Sequence, residues 1–543
     1  MVKRKTITIS DPFSGVLGSR RRRTARRREY DQGQTGDGEG RMDELTISEL
    51  QVKMSSGEMT AISITQAYLE RIEQVDKQGP AVNAVIELNP EAMAIAADMD
   101  TERKAGHVRG PLHGIPILIK DNIDTHDRMQ TTAGSLALEG SIAQQDAFIV
   151  KRLRHAGAVL LGKTNLSEWA NFRGKPSVSG WSSRGGLTRN PYALDRSACG
   201  SSSGSAVAVA ANMCAAAIGT ETDGSITCPA QTNGVVGIKP TLGLWSRSGI
   251  IPIAHSQDTA GPLARTVADA AALLGALAGV DDRDPGTKAS REKALKNYAR
   301  YLKKDGLRGA RIGVAREMAG TDARVLKIYD ACIAAMKQAG ALIIDPVVVP
   351  HFKDYGKSEV DVLLYEFKTD LNRYLKSLAS NARLHTLEEI IKFNEEHKES
   401  VMPYFGQERM TAAQKKGPLT SKGYRAALAK NRRLARTQGI DVTFRKHRLD
   451  AIVVPTGGPA WMIDLVNGDV LNWDMESTSP AAVAGYPHIT VPAGYIFGLP
   501  VGISFLGRAW SESILIQLAY AFEQATTVRR PPEFQLHAEG AKV

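Results

Sequence analysis

Residues 195–240 read DRSACGSSSGSAVAVAANMCAAAIGTETDGSITCPAQTNGVVGIKP, and the rest of the predicted fold is built around this serine segment. A serine cluster at 201–203 stands between two glycines, and mostly small residues follow it as far as Gly219. A second turn, Asp223-Gly224-Ser225, comes next. Small side chains let two backbones approach closely, and glycine adopts positive φ without strain. The segment therefore predicts a pocket lined by backbone and hydroxyl groups, with a buried helix at 206–214.

Strand and helix patterns alternate on both sides of the serine segment. Short apolar runs bounded by turn residues predict strands, and apolar residues spaced three and four apart predict helices between them. This alternation is typical of an α/β fold, here a single large domain whose mixed, mostly buried β-sheet is covered by helices on both faces. Residues 350–445, called the helical region below, interrupt the alternation with charged helices. Strands are predicted at 115–119, 159–162, 217–220, 235–239, 310–315, 342–348, 451–455, 489–493 and 501–507.

Positive charge is concentrated at the amino terminus. The 543-residue chain has a formal net charge of +11, and six of these net charges fall in residues 1–41. The arginine run predicts a disordered basic tail, with a nucleic-acid arm or a translation start at Met42 as alternatives. The remainder is only mildly basic, so a nucleic-acid partner is not predicted outside the tail. The folded domain is expected over 42–535, followed by a short C-terminal tail at 536–543.

Two features bear on the compartment of the protein. No apolar run approaches the roughly 18–20 residues that span a bilayer, and none follows the arginines, so neither a membrane span nor a signal peptide is predicted. The cysteines show no close pair and no zinc-like spacing, which predicts free, mostly buried thiols and no metal, with a reactive thiol at Cys199 or Cys228 as the alternative. These features favour a cytoplasmic protein. The four cysteines are Cys199, Cys214, Cys228 and Cys332.

Two hydroxyls in the serine segment are candidate nucleophiles. The GSSSG cluster fits the GxSxG pattern, which selects Ser202, with His488 as a downstream partner. That pattern needs a buried strand directly before it, whereas the preceding residues NPYALDRSAC are typical of turns. The other candidate, Ser225, ends a Gly turn whose consecutive amides can stabilise an oxyanion. An ordinary Gly-Ser turn that caps the next segment is the alternative for Ser225.

A serine hydroxyl needs a base, and Lys120 is the candidate. It ends the apolar run at 115–119, so its amine is expected to be partly desolvated, which lowers the pKa of a lysine. A neutral amine can accept a proton from a hydroxyl. The alternative is a structural lysine at a strand end, bonded to carbonyl groups or to Asp121.

Three blocks together resemble the amidase signature family. They are GIPILIKDN at 114–122, NPYALDRSACGSSSGSA at 190–206 and GTETDGSITCPAQTNGVVGIKPT at 219–241. Further blocks follow in the family's order, so the resemblance covers about 43–530. It implies an amide hydrolase with the amidase signature fold and a Ser–cis-Ser–Lys triad that works without metal or cofactor. The implied roles are nucleophile for Ser225, bridging cis-serine for Ser201, general base for Lys120, and oxyanion hole for the amides of Thr222, Asp223, Gly224 and Ser225.

Departures from the common family pattern point to a substrate. The strings CGSSSGSA, TETDGSI and IIPIAHSQDTAGP resemble the branch that removes the C-terminal amide from peptides, so a peptide amide or another small primary amide is the expected substrate. Asp223 stands where many members have glycine, and its carboxylate would repel a free C-terminal carboxylate. Alternatives are a general aliphatic or aryl amidase, the A subunit of a tRNA-dependent amidotransferase, or a silent protein whose tail binds nucleic acid. Trp461 and Trp473 are candidates for the cleft, with packing as the alternative.

Overall fold

The computed structural model describes residues 42–379, 382–470 and 477–539. The predicted basic tail, Trp473 and the last four residues therefore lie outside the described residues. The strands are β1 Val85–Leu88, β2 Pro116–Lys120, β3 Val159–Thr164, β4 Trp181–Ser182, β5 Gly186–Leu187, β6 Ala216–Glu221, β7 Val236–Lys239, β8 Thr259–Ala264, β9 Arg311–Val314, β10 Leu342–Ile344, β11 Ala451–Pro455, β12 His488–Ile496 and β13 Leu499–Leu506.

Eleven of these strands form one sheet in the order β1-β3-β2-β6-β8-β7-β12-β13-β11-β9-β10. Strand β2 pairs in parallel with both β3 and β6, whereas β6 and β8 are antiparallel. The sheet is therefore mixed, and the α/β prediction is confirmed. Every residue of β2, β3, β6, β8, β11 and β13 is buried, as expected when helices cover both faces of a sheet.

The α-helices of six residues or more in the described part of the chain cover the sheet and build the helical region. A π-helical stretch, Arg433–Ile440, joins two of them. The α-helices of six residues or more are Ile47–Ser56, Ala61–Ile72, Ala92–Lys104, Phe148–His155, Ser203–Ala210, Thr227–Thr232, Val267–Leu277, Ala323–Gln338, Gly356–Lys376, Leu387–Glu396, Glu408–Gln414, Lys422–Arg432, Asp441–His447, Ser479–Ala484 and Glu512–Thr526.

The helix of the serine segment starts earlier than predicted. It runs over Ser203–Ala210 rather than 206–214, because Ser202 already occupies the position before its first turn. All eight of its residues are buried. A Cβ atom on Gly204 would lie 2.2 Å from the carbonyl oxygen of Ala84 and 2.5 Å from that of Asn165. This helix therefore packs directly on backbone, which only a glycine at that position allows.

The helical region shares an apolar core, separate from that of the sheet, with residues from earlier parts of the chain such as Ala133, Trp169 and Ile251. On the helix Gly356–Lys376, the side chains of Leu363, Phe367 and Leu371 are spaced by four residues and lie on one buried face. The helix Leu387–Glu396 packs against it and begins at a capping box, in which Thr386 and Glu389 bond each other's backbone amides. Between β10 and β11 the described residues contain no strand.

Two strands of the eleven-stranded sheet were missed by the sequence patterns, as were the two-residue strands β4 and β5. Strand β1 is interrupted by the polar Glu87, and β8 contains Gly261 and Pro262, so neither shows a clear apolar run. The strand predicted at 342–348 ends at Ile344, because Pro346 cannot continue the backbone hydrogen bonds. No helix among the described residues combines the length and apolarity that crossing a membrane requires.

Candidate active site

Lys120 is the last residue of β2, and its side chain is fully buried. Because β2 and β6 are parallel, the carboxyl ends of both strands meet at one edge of the sheet. Thr220, near the end of β6, therefore lies beside the lysine amine. The Nζ atom of Lys120 is 2.7 Å from Ser201 Oγ, 3.1 Å from Ser202 Oγ and 2.9 Å from Thr220 Oγ1.

The contacts of these hydroxyls restrict the orientation of the Lys120 amine, whose Nζ atom also lies 3.3 Å from the carbonyl oxygen of Thr220. Ser202 Oγ donates to the carbonyl oxygen of Thr220, and Asn122 Nδ2 donates to Thr220 Oγ1, so both hydroxyl oxygens can accept from Nζ. A neutral amine has two N–H donors and one lone pair. When the two donors are directed at Ser202 and Thr220, the lone pair faces the hydroxyl of Ser201.

The pKa of Lys120 lies well below its ordinary value. Burial of the amine is the main cause, and the negative charges of Glu221 and Asp258 oppose the shift without cancelling it. Lys120 forms no ion pair within the described ranges. The lysine is therefore suited to accept a proton rather than to neutralise a carboxylate.

The two serine turns of the serine segment contact each other through their backbones. The amide of Ser202 donates to the carbonyl oxygen of Ser225 at 3.1 Å, and the peptide bond from Gly200 to Ser201 is cis. Gly224 has φ of +76°, a conformation that favours glycine and lets the turn end at Ser225. Lys120, Ser201 and the turn of Ser225 are thus brought together at one edge of the sheet.

The turn before Ser225 presents free amides. Glu221 accepts the amides of Ile226 and Thr227 at 2.7 and 2.9 Å, which holds the segment that follows the turn. Within the described part of the chain, the amides of Asp223, Gly224 and Ser225 donate to no acceptor. The side chain of Thr222, the fourth predicted oxyanion-hole residue, donates to Asp258 Oδ1 at 2.6 Å. Such a row of amides can stabilise an anionic tetrahedral intermediate.

The alternative pair of Ser202 and His488 is not assembled. Ser202 is fully buried, and its hydroxyl is held by Thr220 and Lys120. His488 lies on β12, where its Nε2 is 2.6 Å from Ser504 Oγ. Burial lowers the pKa of His488 to about 3. The interpretation of GSSSG as a GxSxG motif with Ser202 as the nucleophile is therefore wrong, as the turn-forming residues before it indicated.

The prediction of four free thiols is wrong for two of them. Cys199 and Cys228 form a disulfide, whereas Cys214 and Cys332 are free and buried as expected. The bond joins the residue before Gly200 to a residue just after Ser225, 29 positions along the chain. Its two cysteines become neighbours only when the two serine turns meet, so their spacing did not reveal the pair. A disulfide is typical of oxidising surroundings, so the cytoplasmic location stays a prediction with a weaker basis.

Residues outside the predicted set complete the surroundings of the turn. Ser479 Oγ donates to Asp223 Oδ2 at 2.6 Å, and Glu359 of the helical region faces the same carboxyl group. Neither residue lies in a block that resembles the family, and both are far from Asp223 in sequence. Trp461 is buried and donates through Nε1 to Asp469 at 3.1 Å, which fits a packing role.

One cluster in the described residues has the composition of a metal site. His255, Glu366 and Asp370 bring three potential ligand atoms within 4.8 Å of one another. Both oxygens of Glu366 already accept hydrogen bonds, from the amide of Ser256 at 2.9 Å and from Tyr424 Oη at 2.7 Å. His255 Nδ1 contacts Asp370 at 2.6 Å. The cluster therefore fits a hydrogen-bond network that connects the helical region to the loop before β8.

Fold and site define an α/β protein in which a buried lysine contacts a serine at the carboxyl edge of a mixed sheet. A model of the family described as Amidase matches residues 63–516. The chain belongs to this family and is an amide hydrolase of the amidase signature type. The predicted family membership is confirmed.

Relatives and solved structures show how far the similarity extends. A probable amidase of Arabidopsis thaliana is 41% identical over 500 residues, which are 90% of this chain and 92% of the relative. The A subunit of the glutamyl-tRNA(Gln) amidotransferase from Symbiobacterium thermophilum is 35% identical over 496 residues, which are 89% of this chain and 97% of the relative. The structure of the peptide amidase from Stenotrophomonas maltophilia superposes with a TM-score of 0.87 at 52% identity, covering 91% of this chain and 99% of that one.

Proposed function

We propose that the protein hydrolyses the C-terminal amide of short peptides to the free acid and ammonia. The observation that carries the proposal is the carboxyl group of Asp223, which stands in the turn that ends at Ser225. A negative charge at this position disfavours a substrate that ends in a carboxylate and tolerates one that ends in a neutral amide. The 52% identity to a peptide amidase supports the same substrate class.

The proposed mechanism uses the residues at the sheet edge. Lys120 accepts the proton of Ser201, and Ser201 in turn accepts the proton of Ser225 as its Oγ attacks the amide carbon. The turn amides stabilise the resulting oxyanion. The relay then returns a proton to the nitrogen as the C–N bond breaks, which releases ammonia and leaves an ester on Ser225. Water cleaves this ester by the same relay and yields the acid.

A panel of amides tests the proposal through ammonia release by the isolated chain. The panel contains an N-blocked dipeptide amide, a free amino-acid amide, a fatty amide and glutamine. We expect kcat/KM for the dipeptide amide to be about tenfold or more above the others. Equal or faster turnover of the fatty amide would favour the general amidase instead. Glutamine turnover confined to a complex with partner proteins would favour the amidotransferase.

The role of Asp223 has a separate test. Asp223→Asn removes the charge and keeps the shape, so the free dipeptide acid should inhibit about tenfold more strongly than it inhibits the wild type. Asp195→Asn is a matched control, because this aspartate lies in the same segment but contacts His537 at the surface instead. An unchanged inhibition constant in Asp223→Asn would show that the Asp223 charge does not set the preference for amides over acids.

A further inference from the structure

Glu359 connects the helical region to the nucleophile turn. It lies in the first turn of the helix Gly356–Lys376, and only 7% of its surface is exposed. Its Oε1 atom accepts a hydrogen bond from Gln257 Nε2 at 3.0 Å, and Gln257 also donates to the carbonyl oxygen of Thr222. The carboxyl group of Glu359 faces that of Asp223 within hydrogen-bond reach.

Asp223 has one oxygen with a donor and one without. Its Oδ2 accepts from Ser479 Oγ at 2.6 Å. Its Oδ1 is buried and receives no hydrogen bond from an N–H or hydroxyl group among the described residues. A buried acceptor without a donor is unfavourable by about 1–3 kcal/mol, so such an atom normally has a partner. The carboxyl group of Glu359 interacts with the Asp223 side chain, and it can donate only when protonated.

Two carboxyl groups that meet in a buried place hold one proton between them. Burial is the main cause that raises the pKa of Glu359 well above its ordinary value, and the charge of Asp223 raises it further. The raised pKa favours the protonated form of Glu359, which can donate to the neighbouring carboxyl group.

We propose that protonated Glu359 donates to Asp223 Oδ1 and holds the Asp223 carboxylate beside the turn amides, as a positioning residue for substrate selection. The inference rests on the proposed function for the role of Asp223. Ser479 and Glu359 then each hold one oxygen of Asp223. Ser479 belongs to the helix Ser479–Ala484, and Glu359 belongs to the helical region. The helical region thereby takes part in choosing the amide through a residue that need not touch the substrate.

The proposal has a consequence for pH dependence. The charged groups that face Glu359 are Asp223 of the turn and Arg409 of the helix Glu408–Gln414, and the guanidinium opposes the upward shift of the Glu359 pKa. When Glu359 loses its proton as pH rises, it no longer donates to Asp223, and only Ser479 holds that carboxyl group. Lys120 acts on kcat/KM of the amide, whereas this loss acts on the discrimination ratio, defined as the inhibition constant of the free dipeptide acid divided by KM of the amide. A decline in this ratio as pH rises therefore reports Glu359 and not the base.

The experiment compares Glu359→Gln with Glu359→Ala from about pH 6 to about pH 10. Glutamine donates an N–H to Asp223 Oδ1 at every pH, whereas alanine removes the donor. With the best amide substrate and its free acid, we expect the discrimination ratio to decline as pH rises in the wild type, to stay level in Glu359→Gln, and to be about tenfold lower in Glu359→Ala than in the wild type at neutral pH. Asp361→Asn is the matched control on the same helix, because its partly exposed carboxylate pairs with Lys416 at 3.0 Å. This control should reproduce the wild-type profile.

Two results would overturn the proposal. One is an equal decline of the discrimination ratio with pH in Glu359→Gln and the wild type, and the other is the same ratio in Glu359→Ala and Glu359→Gln at neutral pH. If Glu359→Ala does not fold, the profiles of wild type and Glu359→Gln still decide. The amide panel on the wild type tests the proposed function separately, because the Glu359 comparison uses whichever amide that panel ranks first.

Discussion

The serine segment and the helical region contribute to the same site in different ways. The serine segment contributes backbone, with turn amides, a cis peptide bond and a helix in which every residue is buried. The helical region contributes side chains such as Glu359 and Asp370, which reach inward from charged helices. In the proposal, the serine segment therefore provides both the chemistry and the selecting carboxyl group of Asp223, whereas the helical region holds that carboxyl group in position.

The strongest test of this division is Lys120→Ala. Removing the proposed base should lower kcat/KM for a dipeptide amide by about 10⁴-fold or more, because the serine relay loses its proton acceptor. Ammonia release measures the effect, and circular dichroism checks the fold. Ser205→Ala is the control. This hydroxyl lies on the helix Ser203–Ala210, donates to the carbonyl oxygen of Ile218 at 3.0 Å and is outside the relay. Equal losses in the two variants would refute a special role for the lysine.

The disulfide tests whether the serine turns need a covalent link. Replacing both Cys199 and Cys228 by serine opens a loop with a sequence separation of 29, which should lower the free energy of unfolding by about 3.5 kcal/mol. Urea unfolding measures this change, with Cys332→Ala as a control that removes a buried free thiol. Similar stability of the double variant and the wild type would show that packing alone holds the turns.

A substitution in the apolar core of the helical region tests whether the stability of this core is independent of the pKa of Lys120. Leu371→Ala deletes a fully buried side chain and should lower the free energy of unfolding by about 3 kcal/mol. Because Leu371 belongs to the apolar core of the helical region and not to the sheet edge that holds Lys120, the acid side of the pH profile should not move. Val360→Ala on the same helix is the control, since 40% of that side chain's surface is exposed. A shifted acid side in Leu371→Ala would show that the two regions are coupled.

The smallest expected effect is the decline in wild-type kcat/KM on the acid side of its pH profile. Burial lowers the pKa of Lys120, so the amine is neutral at a lower pH than an ordinary lysine and becomes protonated only as pH falls further. Below that pKa, kcat/KM should decline about tenfold for each pH unit. A profile that stays flat down to the pH of unfolding would exclude the amine as the base.

The two regions also differ in how well the sequence predicted them. In the serine segment, glycines and serines are typical of turns, so the turns and the strand β6 were located closely, and Lys120 was placed at the end of its strand. Glu359 was not recognised, because one glutamate in a charged helix has no local signal and its partner lies more than a hundred residues away. The disulfide was missed because its cysteines, 29 positions apart, become neighbours only when the two serine turns meet. The roles of Ser225, Ser201 and the turn amides stay predictions until the variants are measured.

The close approach of Gly204 to the backbone of Ala84 and Asn165 has an evolutionary consequence. Any side chain at that position would collide with carbonyl oxygens that cannot move aside, so a library of random variants should lose nearly every substitution there. Helices of the helical region contact their neighbours through side chains, which can change one at a time. New substrate preferences are therefore expected to arise in the outer helices and at turn positions such as Asp223, while Gly204 and its contacts stay almost invariant.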